Sequence, residues 1–314
     1  MLASCGKNGK IRLALNWKPD PEFGGLYAAD YKKHGLDVEI LPGGAGTPTV
    51  QMVGAGSTEF GIVSADEIML ARSKGNDVVG LFAAFQQNPV AIMAHESRNL
   101  SSIGDVVKEG TLAIQIGLPY ARMLKQKYGF DKVKIVPSPA GDIGPFLNDE
   151  KFAQQCFSTA EPLAARRKGA KVKVFLVSDL GYNPYAQVMA SSGDMLRKQP
   201  EVVKAMVAAV REGWRTYLDN PLPTNERMHA LNPAMDLAVF MEIAEAQKPL
   251  IEATELGKMT RERWEALAQQ LKDLGDITQV PPVEECYWTT RTRASINIRS
   301  NEPGRAINAR AMAR

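Results

Sequence analysis

The residue types best suited to recognising a small molecule fall just past the ends of predicted strands. Trp17 follows the alternating run 11–15, and Ser64-Ala65-Asp66 follows Phe60–Val63. Phe85-Gln86-Gln87-Asn88 closes the apolar run that begins at Val78. Gln115 and Tyr120 flank a Gly/Pro turn, Ser158-Thr159 leads to Glu161, and Tyr182-Asn183-Pro184-Tyr185 follows Gly181. Pro19 and Pro21 stop the first strand, and Phe23 and Tyr27 then open a helix beside two glycines. Aromatic faces stack on flat rings, adding roughly 0.5–1.5 kcal/mol per pair beyond area burial. Carboxylates and amides give direction by accepting or donating hydrogen bonds. In open α/β sheets ligands bind outside the carboxyl ends of the strands, so two facing sheets would pool these residues in one cleft.

Other chemistries find no support. The chain has no GxGxxG turn, P-loop, HExxH or GxSxG motif. Gly43-Gly44-Ala45-Gly46 sits between a strand and a helix and admits two readings: backbone donors for an anion, or a tight turn allowing close backbone approach. Cys5, Cys156 and Cys286 show neither metal-ligand spacing nor a disulfide framework, and His34, His95 and His229 are scattered, so no metal is expected. Several candidates keep a second reading. Phe23 and Tyr27 suit ligand contact or packing, Ser64 and Asp66 suit a polar ligand arm or the local backbone, and Glu161 suits the first turn of its helix.

The elements that must position these residues alternate strand and helix over the first 190 or so positions, which predicts α/β with largely parallel sheets. Strands are expected at 11–15, 36–41, Phe60–Val63 and Val78–Phe85, with helices at 24–33, 50–54 and after Ser64, whose capping partner is Glu67. The pattern restarts with strands at 90–94, 111–116, 133–136, 154–157 and 172–177, and helices at 120–127 and 161–168. From Pro200 helical periodicity dominates, at 202–218, 236–245 and 261–274. This organisation predicts a second lobe (88–185) inserted into a first (11–87 and 186–288), with crossovers at 86–89 and 181–185.

Composition is that of a globular protein: 45% hydrophobic and 23% charged over 314 residues. The formal charge of +3 is concentrated at the end, where residues 289–314 hold six arginines and one acid, a local +5 that leaves about −2 elsewhere. The body therefore offers no basic footprint for nucleic acid, and the tail reads as a disordered or non-native extension. No apolar run reaches the length of a membrane span. Met1-Leu2-Ala3-Ser4-Cys5 resembles the end of a bacterial lipoprotein signal, with Cys5 as the lipidated residue and 1–10 as signal remnant and linker.

Five segments, LNWKPDPEFGGLYAADYKKHGLDVEILPGGAG, EFGIVSADE, LPYARMLKQKYGF, QQCFSTAEPLAARRKG and GYNPYAQVMA, resemble the substrate-binding proteins of ABC importers. The likeness is to the group that includes thiamine-pyrimidine-precursor binding proteins and the fungal pyrimidine synthase, and it covers roughly 11–288. It implies a type II periplasmic-binding-protein fold: two α/β lobes, two crossovers and a helical C-terminal section. It also implies a lipid-anchored, extracytoplasmic, monomeric protein that needs no cofactor and passes its cargo to a membrane permease.

On this resemblance Trp17 lines the cleft with Phe23 and Tyr27, and Glu161 reads an aminopyrimidine from the opposite lobe. Ser64, Asp66, Phe85, Gln115, Tyr120, Tyr182, Asn183 and Tyr185 complete the expected ligand-binding set. Riboflavin or another flavin is the alternative cargo, since stacking serves it equally well. Sulfonate or nitrate fits poorly, because Asp20, Glu22, Asp66 and Glu161 make the expected cleft acidic. The synthase in this superfamily uses pyridoxal phosphate, a Schiff-base lysine, a donor histidine and a cysteine-rich motif. Only Gln154-Gln155-Cys156-Phe157 resembles that motif here, so an enzyme is not expected. Ligand capture is expected to work by closure of the lobes about the crossovers.

Overall fold

The computed structural model describes residues 9–289, so Cys5 and the basic stretch 290–314 lie outside the described residues. Ten strands form two five-stranded sheets. The first sheet contains β1 (Ile11–Ala14), β2 (Val38–Leu41), β3 (Phe60–Val63), β4 (Val78–Phe85) and, from far along the chain, β10 (Ala186–Ser192), in the order β2-β1-β3-β10-β4. The second is built from β5 (Val90–His95), β6 (Thr111–Ala113), β7 (Lys134–Val136), β8 (Phe152–Phe157) and β9 (Val172–Leu176), in the order β7-β6-β8-β5-β9. The chain crosses between them twice, at 86–89 and at 177–185.

Neither sheet is wholly parallel. β10 runs antiparallel to both β3 and β4, and β5 runs antiparallel to both β8 and β9. The reason is geometric. A chain that enters a lobe from the crossover must begin its strand at the edge where neighbouring strands finish. β10 is also the strand the sequence does not foretell, because AQVMASS is buried almost throughout yet its Ala, Gln and Ser residues make no apolar run.

Helices α1 (Gly24–Ala28), α2 (Thr49–Gly54) and α3 (Ala65–Ser73) cover the first sheet, while α4 (Ile103–Val106), α5 (Pro119–Tyr128), α6 (Gly144–Asn148) and α7 (Glu161–Arg167) belong to the second. The C-terminal section adds α8 (Gly193–Lys198), α9 (Pro200–Asp219), α10 (Leu222–Leu231), α11 (Leu237–Ile251) and α12 (Arg261–Asp273). The first helix is shorter than its sequence suggests. Ala29 turns extended, and the Tyr31 hydroxyl donates to the Leu26 carbonyl at 2.8 Å, occupying an acceptor at the helix end.

The Phe-Gly-Gly start of α1 is explained by α9. The apolar stripe of α9, including Val203, Val207, Val210, Trp214 and Tyr217, lies against α1 and the sheet. A side chain at Gly24 would enter the Tyr217 ring, and one at Gly25 would enter the Trp214 indole. One at Gly213 would collide with the Gly25 carbonyl, so three glycines set the distance between the two helices. Trp214 and Tyr217 pack edge to face, with centroids 5.9 Å apart.

Candidate functional site

Trp17 is presented from the end of β1 by a stiffened loop. Asp20 accepts from the Glu22 amide at 3.0 Å and starts the short turn Pro21–Phe23. Gly43 donates its N–H to the Trp17 carbonyl at 3.0 Å, and a side chain there would strike the Leu15 carbonyl. The Gly-rich stretch is thus a close backbone approach that fixes Trp17. Two of its donors are already used, Gly43 on the Trp17 carbonyl and Gly44 on Thr47 Oγ1 at 2.8 Å, which favours the close-approach reading over the anion one.

On the facing wall Glu161 begins α7, and its carboxylate accepts from the Phe157 amide at 2.8 Å. Between the walls lies a turn that the sequence did not single out. Ala140 and Gly141 both adopt left-handed backbone, with φ of 52° and 90°. The position a Gly141 Cβ would occupy is 3.9 Å from Trp17 Cζ2 and 4.0 Å from Glu161 Oε1. Trp17 of one lobe and Glu161 of the other therefore meet around Gly141.

Three carboxylates share this neighbourhood. Burial raises Asp20 to about 7, helped by repulsion from Glu161. Burial, then repulsion from Asp20 and Glu161, pushes Glu22 well above the usual carboxylate range. Glu161 itself is raised by burial, against the lowering effect of its backbone hydrogen bonds. Among the described residues no lysine or arginine forms an ion pair with any of them.

Several of the other expected polar residues are tied to each other or to neighbouring side chains. The Tyr120 hydroxyl donates to Gln155 Oε1 at 2.5 Å, and the Gln115 amide donates to the same oxygen at 2.6 Å while its own side chain is exposed. Tyr182 donates to Asp66 Oδ2 at 2.9 Å, and Ser64 bonds the other Asp66 oxygen. Ser64 and Glu67 also form the expected capping box. Asp66 and Glu161 both act electrostatically on Tyr120, which joins this network to the acidic wall.

Other expected residues lie apart from that group. Phe23 and Phe85 are wholly enclosed in the core of the first lobe, and Tyr27 is buried there with its hydroxyl unpartnered. The packing reading left open for Phe23 and Tyr27 is the one the structure displays, because α9 covers the face on which they stand. Asn183 and Tyr185 are held in the second crossover. Arg263 of α12 lies 3.8 Å from the Tyr185 ring centroid and donates to the Asn183 carbonyl at 2.8 Å. Asn183 Oδ1 also accepts from the Asn88 amide at 2.8 Å, tying one crossover to the other.

Two buried glutamines lie outside the set expected to bind ligand. Gln187, the second residue of β10, has φ of 48° and donates its side-chain N–H to Glu22. Gln154 is fully buried with its Oε1 unpartnered. A glutamine after Pro184-Tyr185-Ala186 carries no local signal of this role.

At its rim the cleft is bridged by an ion pair. Arg167 of α7 and Glu242 of α11 meet through paired contacts of 2.9 and 3.0 Å. Both side chains are substantially exposed, at 35% and 45%, and solvent-screened pairs of this kind contribute little. Glu242→Ala is therefore expected to weaken capture of a cleft ligand by no more than about fivefold, through faster release. Stopped-flow dissociation checks this; an unchanged release rate would show that the pair does not hold the lobes together.

Facing α/β lobes with two crossovers define the periplasmic-binding-protein fold. The periplasmic aliphatic sulphonate binding protein SsuA from Escherichia coli shares it, superposing with a TM-score of 0.66 at 13% identity over 97% of each chain. The family model described as NMT1/THI5 like matches residues 20–223, and the chain belongs to that family. Its curated relatives carry differing names. The riboflavin-binding protein RibY of Chloroflexus aurantiacus is 24% identical over 68% of this chain and 63% of its own length. The 4-amino-5-hydroxymethyl-2-methylpyrimidine phosphate synthase of Legionella pneumophila is 19% identical over 91% and 93%. The formylaminopyrimidine-binding protein of Halalkalibacterium halodurans is 23% identical over 93% and 95%.

Proposed function

We propose that the protein is the extracytoplasmic solute-binding component of an ABC importer and that its cargo is a small aminopyrimidine. The observation that carries this reading is the meeting of the Trp17 ring and the Glu161 carboxylate across the cleft, around Gly141. Trp17 supplies a flat wall, and Glu161 accepts from an exocyclic amine or pairs with a protonated ring nitrogen. Tyr120, Gln155, Ser64 and Asp66 form the cleft floor. A ligand touching both walls favours the closed state, because only there are both contacts made.

In this reading residues 11–87 and 186–288 move as one lobe and 88–185 as the other, turning about the crossovers. The monomer then docks on a permease, anchored to the membrane through Cys5. The acidic wall disfavours sulfonates, the ligand class in the name of the Escherichia coli neighbour. Riboflavin is the second reading, favoured by the name of the Chloroflexus relative. A synthase role finds less support. His34 pairs with Glu212, His95 stacks on Phe146 and His229 bonds the Met235 carbonyl, so each histidine is engaged by the protein itself.

A thermal-shift panel followed by calorimetry tests the reading, with 4-amino-5-hydroxymethyl-2-methylpyrimidine, its formylaminomethyl analogue, riboflavin and an alkanesulfonate. A pyrimidine at 100 times its Kd is expected to add about 2.7 kcal/mol of stability. Glu161→Gln should then weaken it by about 10- to 100-fold, the worth of a charge-assisted hydrogen bond, and Trp17→Ala by about tenfold. Response to riboflavin alone would reassign the cargo; response to the sulfonate alone would overturn the argument from the acidic wall.

A further inference from the structure

α12 belongs to neither crossover, yet it holds the second one at three points. Just before the helix the Thr260 amide donates to the Tyr185 hydroxyl at 3.0 Å, and further along Gln270 donates to the Gly181 carbonyl at 2.9 Å. Between them Arg263 sets its guanidinium 3.8 Å from the Tyr185 ring centroid. It donates to the Asn183 carbonyl from Nε at 3.1 Å and from Nη2 at 2.8 Å, and to Asn183 Oδ1 from Nη2 at 3.1 Å. The helix itself is fixed to the first lobe. Trp264 is wholly buried and stacks on Tyr287, while Leu267 and Leu271 share a core with Ile68 and Met69 of α3.

What Arg263 holds in turn holds the other crossover. Asn183 Oδ1 also accepts from the Asn88 amide at 2.8 Å, and Asn88 Nδ2 donates to the Pro184 carbonyl at 3.0 Å. The two linkers are therefore bonded to each other at the residue that Arg263 grips. No carboxylate acts on this arginine; its charge is spent on the Tyr185 face and the Asn183 oxygens. A guanidinium combines a fixed fork of donors with a flat face for stacking, and a lysine ammonium lacks that combination. The lobes can turn only by bending these linkers, so whatever fixes the linkers fixes how Trp17 and Glu161 face each other.

We propose that Arg263 is a positioning residue for ligand capture: without touching the ligand, it locks the paired crossovers in the arrangement that brings the two walls together. The inference rests on the proposed function only in taking the lobes as closing on a ligand. Without the guanidinium the Asn88–Asn183 bond remains, but the centre of the second crossover is no longer tied to α12. More open arrangements then become populated, and apparent affinity falls with the closed fraction.

Electron–electron distance measurements on the full chain test this, with spin labels at Lys168→Cys beside α7 and Glu226→Cys of α10 in a Cys5→Ser background. Both sites are exposed, whereas Cys156 and Cys286 are buried. Without ligand, Arg263→Met is expected to spread the distance distribution towards longer values, and Arg263→Lys to fall between it and the parent. Should Arg263→Met not fold, Arg263→Lys carries the same test. The Kd of 4-amino-5-hydroxymethyl-2-methylpyrimidine should rise about fivefold in Arg263→Met. Distributions that superimpose on the parent's would overturn the inference, even if the melting temperature falls, because Arg263 would then only stabilise the fold. A parent that fails to bind the pyrimidine would sink the cargo reading, while the ligand-free distributions would still decide the role of Arg263.

Discussion

Gly25→Ala is expected to cost about 3 kcal/mol and to lower the melting temperature by roughly 6–12 °C, one of the largest effects of any single methyl in this molecule. The added carbon would fall inside the Trp214 indole, which is itself fully buried and cannot turn away. Backing α1 away from α9 would relieve the clash only by opening the close contact between the Gly25 carbonyl and Gly213. The loop carrying Trp17, Asp20 and Glu22 runs directly into α1, so ligand affinity should fall with stability. Gly44→Ala is the control, since no atom lies within 4 Å of its added carbon. Thermal melts of the two variants decide the matter: equal melting temperatures would mean that α1 and α9 separate at little cost.

The ligand-free protein should lose stability as pH rises from about 5 to 7.5. Asp20, Glu22, Glu67 and Glu161 all have carboxyl pKa values raised chiefly by burial. A carboxyl with a raised value binds its proton more tightly when folded. Its stabilising effect is therefore complete below the unfolded value and is lost as pH climbs through the folded one. For Asp20 that window runs from 3.8 to about 7. The carboxylates Asp105 and Asp194, both held down to about 2 chiefly by hydrogen bonds to lysines, act in the opposite sense, but only below their ordinary value of 3.8. Denaturant midpoints at pH 5 and pH 7.5 measure the difference, and Glu22→Gln should flatten it. Stability rising across this interval would mean that the acidic wall is solvated in the free protein.

How much of this could be read in advance differs from element to element. β3 and β4 fall where the apolar runs place them, because a strand buried on both faces announces itself by composition. The crossover 86–89 was legible because Gln, Asn and Pro interrupt two such runs. Trp17 and Glu161 were legible as strand-end residues on opposite lobes. Phe23 and Tyr27 misled, because an aromatic beside glycines reads the same whether a ligand or a helix covers it. The covering helix, α9, lies almost 200 residues away in sequence. Gln187 was invisible for a related reason: an amide oxygen is orphaned by what fails to surround it, and no window of sequence holds that information.

The position of β10 bears on how the molecule is made. β10 is inserted between β3 and β4, yet it emerges only after the whole of the second sheet has been synthesised. Until then β3 and β4 lack their shared neighbour, and their apolar edges stand open. The second lobe is contiguous and can close its sheet while the ribosome is still working. The first must wait for distant residues, and long-range pairing of this kind is slow. For that interval the nascent chain is half folded, and its unpaired strands are the ones a chaperone would hold.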